Sequence, residues 1–301
     1  MSSPIPRVRA PSYEEFVGHY LYPHQPVVIE GAIDQWRALR DWSPDFFQRE
    51  FPDVEVSIVP RSGGSSEKFN MRELIDRVHR STEENQAPYL RNEVVALKFP
   101  RLLADFAPLP CYGVPNWLSE RYLLKPLQRE FNRGALMELF IGGKGAGFPR
   151  LHYDYLGTHA FLIQIYGEKR VIFFAPDQTR YLYPDPAGGT YSLIQDPTQA
   201  DLAQFPLFPH AQLMEATLGP GDMLLVPTMW WHTTKMSGPS ISLSFNLLNG
   251  SNWQQMTNYV CRKRSAPTAA VVRTYLHLAG RWRQRRDRAL FPSIPPPRPA
   301  G

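Results

Sequence analysis

Two hydrophobic patterns divide this chain. Up to about residue 134, helical spacing alternates with isolated apolar runs. Ser12 precedes Phe16 and Tyr20 with Glu15 in the capping-box position, which predicts a helix start. Residues 26–31, Pro-Val-Val-Ile-Glu-Gly, form a β-branched run closed by glycine and predict a strand. Ser43 followed by Pro44 predicts a cap and first turn of another helix. Residues 54–59 alternate as a strand, 61–66 (Arg-Ser-Gly-Gly-Ser-Ser) form a flexible turn, and 71–80 return to helical spacing.

From about residue 135 the pattern changes to short strands at 136–141, 161–166, 169–174, 223–226 and 240–245, punctuated by Gly and Pro. This predicts an antiparallel sandwich or barrel. Gly167-Glu168 is a hairpin-sized connection, and Gly219-Pro220-Gly221-Asp222 forces another tight turn. Helical spacing resumes over 254–290, before a proline-rich end that cannot continue a helix and is expected to be disordered. The expected organisation is an N-terminal helical and strand region (1–134) packing on the barrel, a catalytic core (135–250), a C-terminal helical region (251–290) and a tail (291–301). No internal repeat is evident.

A chain of 301 residues, 43% hydrophobic, buries a sizeable core. Polar Met1-Ser2-Ser3 leads into Pro6, Arg7 and Arg9 with no apolar segment of secretory type, and no run approaches membrane-spanning length. With Cys111 and Cys261 as its only cysteines, the chain has no disulfide framework and no cysteine-rich zinc site. A cytoplasmic, intracellular location without membrane contact is expected. The formal charge of +5 is concentrated late, in Arg262-Lys263-Arg264 and in Arg281, Arg283, Arg285, Arg286 and Arg288. This is either a solvated helix face or a patch for RNA or an acidic partner.

His152-Tyr153-Asp154 is the candidate chemistry. In an extended segment residues i and i+2 share a face, so His152 and Asp154 can bind one ion together while His232, in Val-Pro-Thr-Met-Trp-Trp-His, arrives from a later strand. Two imidazoles and one carboxylate on one face of an octahedron favour a mononuclear redox-active iron with open positions. A glycine-rich approach, 142–147, lets the backbone bend before it. Lys169, on a strand, suits a distal carboxylate as a point charge, and the Tyr89 hydroxyl can assist it. Met229, Trp230 and Trp231 would keep water from the metal or serve as core. His159 lies at an odd offset from Asp154, favouring a structural or substrate-lining role, and His19, His24, His79, His210 and His277 lack partners at metal spacing.

These residues, with 26–31, Trp36, Trp42-Ser43, Tyr89-Leu90-Arg91, 164–170, 174–176, 181–184, 218–222 and 227–232, occur in an order that resembles the cupin-like JmjC class of Fe(II)- and 2-oxoglutarate-dependent oxygenases over about residues 5–260. The resemblance implies a mainly β fold, a double-stranded β-helix of cupin or jelly-roll type with flanking N-terminal and C-terminal helices. It also implies iron on His152, Asp154 and His232, and 2-oxoglutarate on the metal with its far carboxylate at Lys169 and Tyr89. Dioxygen is the second co-substrate. Ser244 and Asn246 match positions of polar co-substrate contacts. Two departures stand out: Pro149 lies where a hydroxyl residue is usual, and Ala160 or Leu162 where an inward polar residue is usual; Thr158 can compensate.

The implied reaction couples decarboxylation of 2-oxoglutarate to hydroxylation of a C–H bond, with no catalytic residue beyond the metal ligands. A protein or peptide side chain is the expected substrate, hydroxylated or N-demethylated. The alternatives are a transfer-RNA base, suggested by 201–208 and the C-terminal arginines, and an inactive cupin-fold binding module. Helices after the barrel in similar enzymes often pair subunits, and Thr268, Val271, Val272, Tyr275, Leu276 and Leu278-Ala279 recur near helical spacing, so a homodimer is expected.

Overall fold

The computed structural model describes residues 2–60, 64–119, 136–262 and 264–296. The N-terminal part runs β1 (Ser3–Pro4), β2 (Arg7–Arg9), α1 (Tyr13–Phe16), a π-helical turn (Val17–Leu21), β3 (Val27–Glu30), α2 (Ala38–Asp41), α3 (Pro44–Glu50), β4 (Glu55–Ile58), β5 (Glu67–Asn70), α4 (Met71–His79), β6 (Leu90–Val94) and α5 (Val95–Lys98). The expected helix starts are present: Ser12 and Glu15 form a reciprocal capping box, and Ser43 caps α3 with Pro44 in the first turn. The extension of α1 as a π turn and the strands β1, β2, β5 and β6 are not legible in the pattern. Part of the expected turn, residues 61–63, lies outside the described residues.

The remaining strands are β7 (Glu138–Gly142), β8 (His159–Tyr166), β9 (Lys169–Phe174), β10 (Met214–Leu218), β11 (Met223–Val226), β12 (Trp231–Met236) and β13 (Ser240–Leu247), followed by α6 (Trp253–Arg262) and α7 (Ala266–Leu290). They form two facing sheets, β1-β10-β9-β12 and β2-β3-β11-β8-β13-β7-β6, giving the jelly-roll architecture. The expected hairpin at Gly167-Glu168 is corrected. β8 lies in the large sheet and β9 in the small one, so this connection crosses between sheets. Gly167 is required at that corner, because its φ is +67° and a Cβ would meet the Pro239 carbonyl oxygen at 2.0 Å. The 219–222 turn likewise carries β10 into β11 of the other sheet.

The two-residue period sorts side chains between two cores. Phe161, Ile163, Ile165, Leu243, Leu139, Ile141, Met223 and Leu225 face outward from the large sheet into a core with Phe16, Trp36, Phe47, Leu74 and Ile75. The opposite face, with Ala160, Leu224, Val226, Val171, Phe173, Leu218 and Trp230, lies between the sheets. By register, Leu162, Gln164, Ser242, Ser244, Asn246, Glu138 and Phe140 of the large sheet share this inner face. So do Lys169, His232 and Thr234 of the small sheet.

Helices α6 and α7 close one end over Trp117, Leu156 and Leu248, with Leu276, Val272 and Ala279 packed there. The expected basic face is corrected in one respect: Arg283 is buried, its guanidinium 5.6 Å from the ring centres of both Trp117 and Trp253. Nearby Asp287, also buried, accepts from Trp117 Nε1 at 2.6 Å. Lys263 lies outside the described residues. The C-terminal segment expected to be disordered from 291 is packed as far as 296: Phe291 lies against Tyr13, Ile294 is buried, and Gln284 Nε2 donates to the Pro295 carbonyl at 3.0 Å. Residues 297–301 lie outside the described residues.

Candidate metal and co-substrate centre

His152 and His232 meet through a single antiparallel bridge. Each backbone N–H donates to the other's carbonyl, at 3.1 Å from His152 and 2.6 Å from His232. That exchange places the two rings 4.3 Å apart between centres. Each Nε2 lies 3.9 Å from Asp154 Oδ1. Among the described residues these three side chains form a group able to share one ion, each offering a ligand atom within 4.8 Å of the others.

The other nitrogen of each ring decides the tautomer. His152 Nδ1 lies 3.0 Å from the Arg150 carbonyl, and His232 Nδ1 lies 3.0 Å from the Trp230 carbonyl. A carbonyl only accepts, so both Nδ1 atoms carry the proton and both Nε2 lone pairs face Asp154. Burial, and then the neighbouring His232, hold His152 well below the ordinary imidazole range, which keeps it neutral. Burial raises the Asp154 carboxyl, while His232 opposes that rise. Two imidazoles whose Nε2 atoms face one carboxyl form a donor set that gains from a divalent cation, so the residues fit a mononuclear metal. Phe148 stacks on His152 at 3.9 Å and 19°, with the Arg91 guanidinium 5.3 Å from the Phe148 ring centre.

Further along the inner face, Lys169 is fully buried. Its Nζ donates to Ser242 Oγ at 2.5 Å and lies 3.5 Å from the Tyr89 hydroxyl, with the Tyr89 and Phe140 rings each 5.8 Å away. Ser242 in turn donates to Gln164 Oε1 at 2.9 Å. Gln164 Nε2 is held by Tyr166 O, Gly167 O and Ser240 Oγ. Burial lowers the Lys169 ammonium to about 7, and no carboxylate of the described residues pairs with it. A buried cation without a carboxylate partner among the described residues is able to receive an anionic group.

The remaining expected co-substrate residues lie nearer the metal ligands. Thr158 is buried, and its hydroxyl reaches Asn246 Oδ1 at 3.4 Å. Ser244 shares the inner face with Asn246 and stands opposite Leu162. Two contributors escaped the sequence reading: Ser242, the direct partner of Lys169, and Gln164, which orients it. The signal for both was present, since Ser242 continues the i, i+2 series of Ser244 and Asn246, and Gln164 interrupts an apolar strand. His159 has the structural role expected of its offset. It is buried, its Nδ1 accepts from the Thr228 backbone N–H at 3.0 Å, and its Nε2 faces Ser251 Oγ at 2.9 Å.

Residues 13–255 match the family model of the cupin-like domain. Similar curated proteins include lysine-specific demethylase 8 of Xenopus tropicalis, 30% identical over 247 residues, covering 80% of this chain and 52% of that protein. The Jumonji C domain-containing protein 5 of Drosophila melanogaster is 27% identical over 252 residues, 80% of this chain and 59% of its own. The tRNA wybutosine-synthesizing protein 5 of Mus musculus is 30% identical over 254 residues, 76% of this chain and 73% of its own. This chain thus spans little more than half the length of the first two. It belongs to the cupin-like family, among relatives of JmjC type.

Proposed function

We propose that this protein is an Fe(II)- and 2-oxoglutarate-dependent oxygenase that hydroxylates a protein or peptide side chain, including hydroxylation that removes an N-methyl group. The observation that carries this reading is the pair of Nδ1-tethered imidazoles presenting both Nε2 atoms to Asp154, with one buried, carboxylate-free lysine farther along the same wall. The names of the relatives support the same chemistry, two being a lysine-specific demethylase and a wybutosine-synthesizing protein.

In this reading His152, Asp154 and His232 hold the iron. Bound there, iron and 2-oxoglutarate supply oxidative decarboxylation to succinate and carbon dioxide, with one oxygen atom of dioxygen entering a substrate C–H bond. The chain's own residues bind and orient. Lys169 clasps the far carboxylate of 2-oxoglutarate, Ser242 and Gln164 fix the ammonium, and the Tyr89 hydroxyl stands beside it. Ser244, Asn246 and Thr158 line the same inner space nearer the metal. Phe173 and Trp230 cover the wall beside His232 and exclude water. Lys169 moves no proton in the reaction.

A transfer-RNA base is the second reading, because the wybutosine-synthesizing relative is matched over 73% of its length. The exposed arginines of α7 would then meet phosphates. An inactive binding module is disfavoured by the complete ligand set. The stripe expected to pair subunits is corrected in part: Leu276 is buried within the chain with Val272 and Ala279 packed beside it, so the homodimer reading rests on the exposed Val271, Tyr275, Leu278 and Trp282 of α7. No described helix is long and apolar enough to cross a membrane.

The deciding experiment supplies the purified chain with Fe(II), 2-oxoglutarate and dioxygen and measures succinate. It is paired with a search for added oxygen in peptides and RNA captured by the D154A protein. Metal-dependent succinate formation supports the oxygenase; tight metal binding without any turnover supports the module.

A further inference from the structure

His232 is carried by β12 inside a regular ladder, whereas His152 lies in the irregular segment between β7 and β8 and meets its neighbours through isolated bridges. A histidine ring turns easily about its last side-chain bond, because that torsion is broad. One hydrogen bond, from Nδ1 to the Arg150 carbonyl in the same irregular segment, fixes a single point of the His152 ring. The plane of the ring is left to other contacts.

Phe148 supplies the main one. Its ring lies 3.9 Å from the imidazole between centres and within 19° of parallel, so a turn of His152 about that bond drives an imidazole edge into the phenyl face. Phe173, by contrast, is tilted by 42° and stands 5.7 Å from His232. Phe148 is itself anchored to the strand that carries His232: its backbone N–H donates to the Thr234 carbonyl at 3.2 Å, and its carbonyl accepts from Thr233 Oγ1 at 3.4 Å. Pro149 disfavours helical backbone at the residue before it, which keeps Phe148 extended. The Arg91 guanidinium stands over the Phe148 ring at 5.3 Å and over the Tyr89 ring at 5.9 Å, steadied by donation from Nη2 to the Val59 carbonyl at 3.0 Å. Among the described residues no carboxylate forms an ion pair with Arg91, so the two rings are its main partners.

We propose that Phe148 is a positioning residue of the metal centre, setting the plane of the His152 ring against β12, and that Arg91 secures the Phe148 ring from β6. The proposal rests on the oxygenase reading in taking His152 as a metal ligand. With the plane fixed before an ion arrives, Nε2 faces the shared position and little ring freedom is lost on binding.

The test uses the full chain and follows its histidine ring signals by NMR, and its Co(II) affinity and visible spectrum by titration. In the metal-free wild type the His152 ring protons should be displaced upfield by the phenyl face, and F148L should remove that displacement. F148A should weaken Co(II) binding about two- to tenfold, the worth of one aromatic pair, and should alter the Co(II) bands. F148Y, which keeps the ring, should restore affinity and bands; F148L, which fills the space without an aromatic face, should not. R91A should move the bands in the same direction with a smaller loss of affinity. The wild-type NMR signal needs no variant to fold. Wild-type Co(II) affinity and bands in F148A, or recovery by F148L as full as by F148Y, overturns the role of Phe148, and wild-type bands in R91A overturn that of Arg91. Ring-dependent Co(II) binding by a chain that forms no succinate with Fe(II) and 2-oxoglutarate upholds Phe148 and removes the oxygenase reading instead. Bound Co(II) that leaves the His152 signals unbroadened removes both.

Discussion

Lys169 and His232 share the inner face of the small sheet, four residues apart along one ladder: His232 stands opposite Phe173, and Lys169 opposite Met236. At about 3.3 Å per residue their backbones are roughly 13 Å apart. In the proposed reading, a five-carbon dicarboxylate held by the metal at one end and by an extended lysine at the other would bridge that separation. This spacing carries the first prediction. K169A should raise the 2-oxoglutarate requirement by about tenfold to more than a hundredfold, the equivalent of about 1.5–3 kcal/mol for a lost charge-assisted contact. Metal affinity should be unchanged. Calorimetric titration of Mn(II) and then 2-oxoglutarate separates the two, and unaltered co-substrate binding contradicts the role of Lys169.

The same lysine sets a pH dependence. Its ammonium is lowered by burial from 10.5 to about 7, and a bound carboxylate requires the charged form. As pH rises through about 7 the free protein loses that proton, so 2-oxoglutarate affinity should fall by up to about tenfold per pH unit above it. For the unliganded fold the sign is opposite. Between about 7 and 10.5 the unfolded chain binds more protons at this site than the folded one, so stability should rise with pH across that window. K169M should flatten both dependences, as read by titration and denaturant melts over that range.

D154A should abolish metal binding and turnover while the chain stays folded. The carboxylate is held against the cost of its own burial, so its removal relieves that cost in the unliganded protein. Thermal melts with and without Co(II) check this: the wild type should gain stability from the metal and D154A should not. Anomalous scattering placing the metal on His159 and His210 would refute the triad.

S242A should act through Lys169. It leaves the ammonium and Gln164 Oε1 without their hydroxyl partner, which costs about 1–3 kcal/mol for buried groups, and should weaken 2-oxoglutarate binding in parallel. S242T, which restores a hydroxyl, should recover much of both. Denaturant midpoints and co-substrate titrations measure the two effects, and wild-type behaviour of S242A removes Ser242 from the centre.

The α7 stripe predicts dimerisation. Light scattering at micromolar concentration should give a dimer for the full chain and a monomer for L278D or W282D, because both side chains are exposed. A monomeric wild type would end the dimer reading. Cutting the chain near Cys261 is a poor test, since it removes Leu276, Arg283 and Asp287 from the closed end of the barrel.

The candidate metal-binding group was legible because strand periodicity is local: an i, i+2 pair shares a face whatever the fold around it, and the distinctive segment ending at His232 offered the third donor, which the fold brings beside the first two. The strands with continuous β-branched runs were legible for the same reason, as were the capped starts of α1 and α3. Which strand pairs with which was not. Gly167-Glu168 has the length of a hairpin, and only the distribution of apolar faces between two sheets turns it into a crossing. The tautomers of His152 and His232 depend on carbonyls in their own backbone turns, and the choice of Ser242 as the lysine's partner depends on register across β13 and β8. Arg283 reads as one of a row of surface arginines until the indoles of Trp117 and Trp253, distant in sequence, enclose it. Local periodicity places a side chain on a face; only packing across hundreds of residues decides what that face meets.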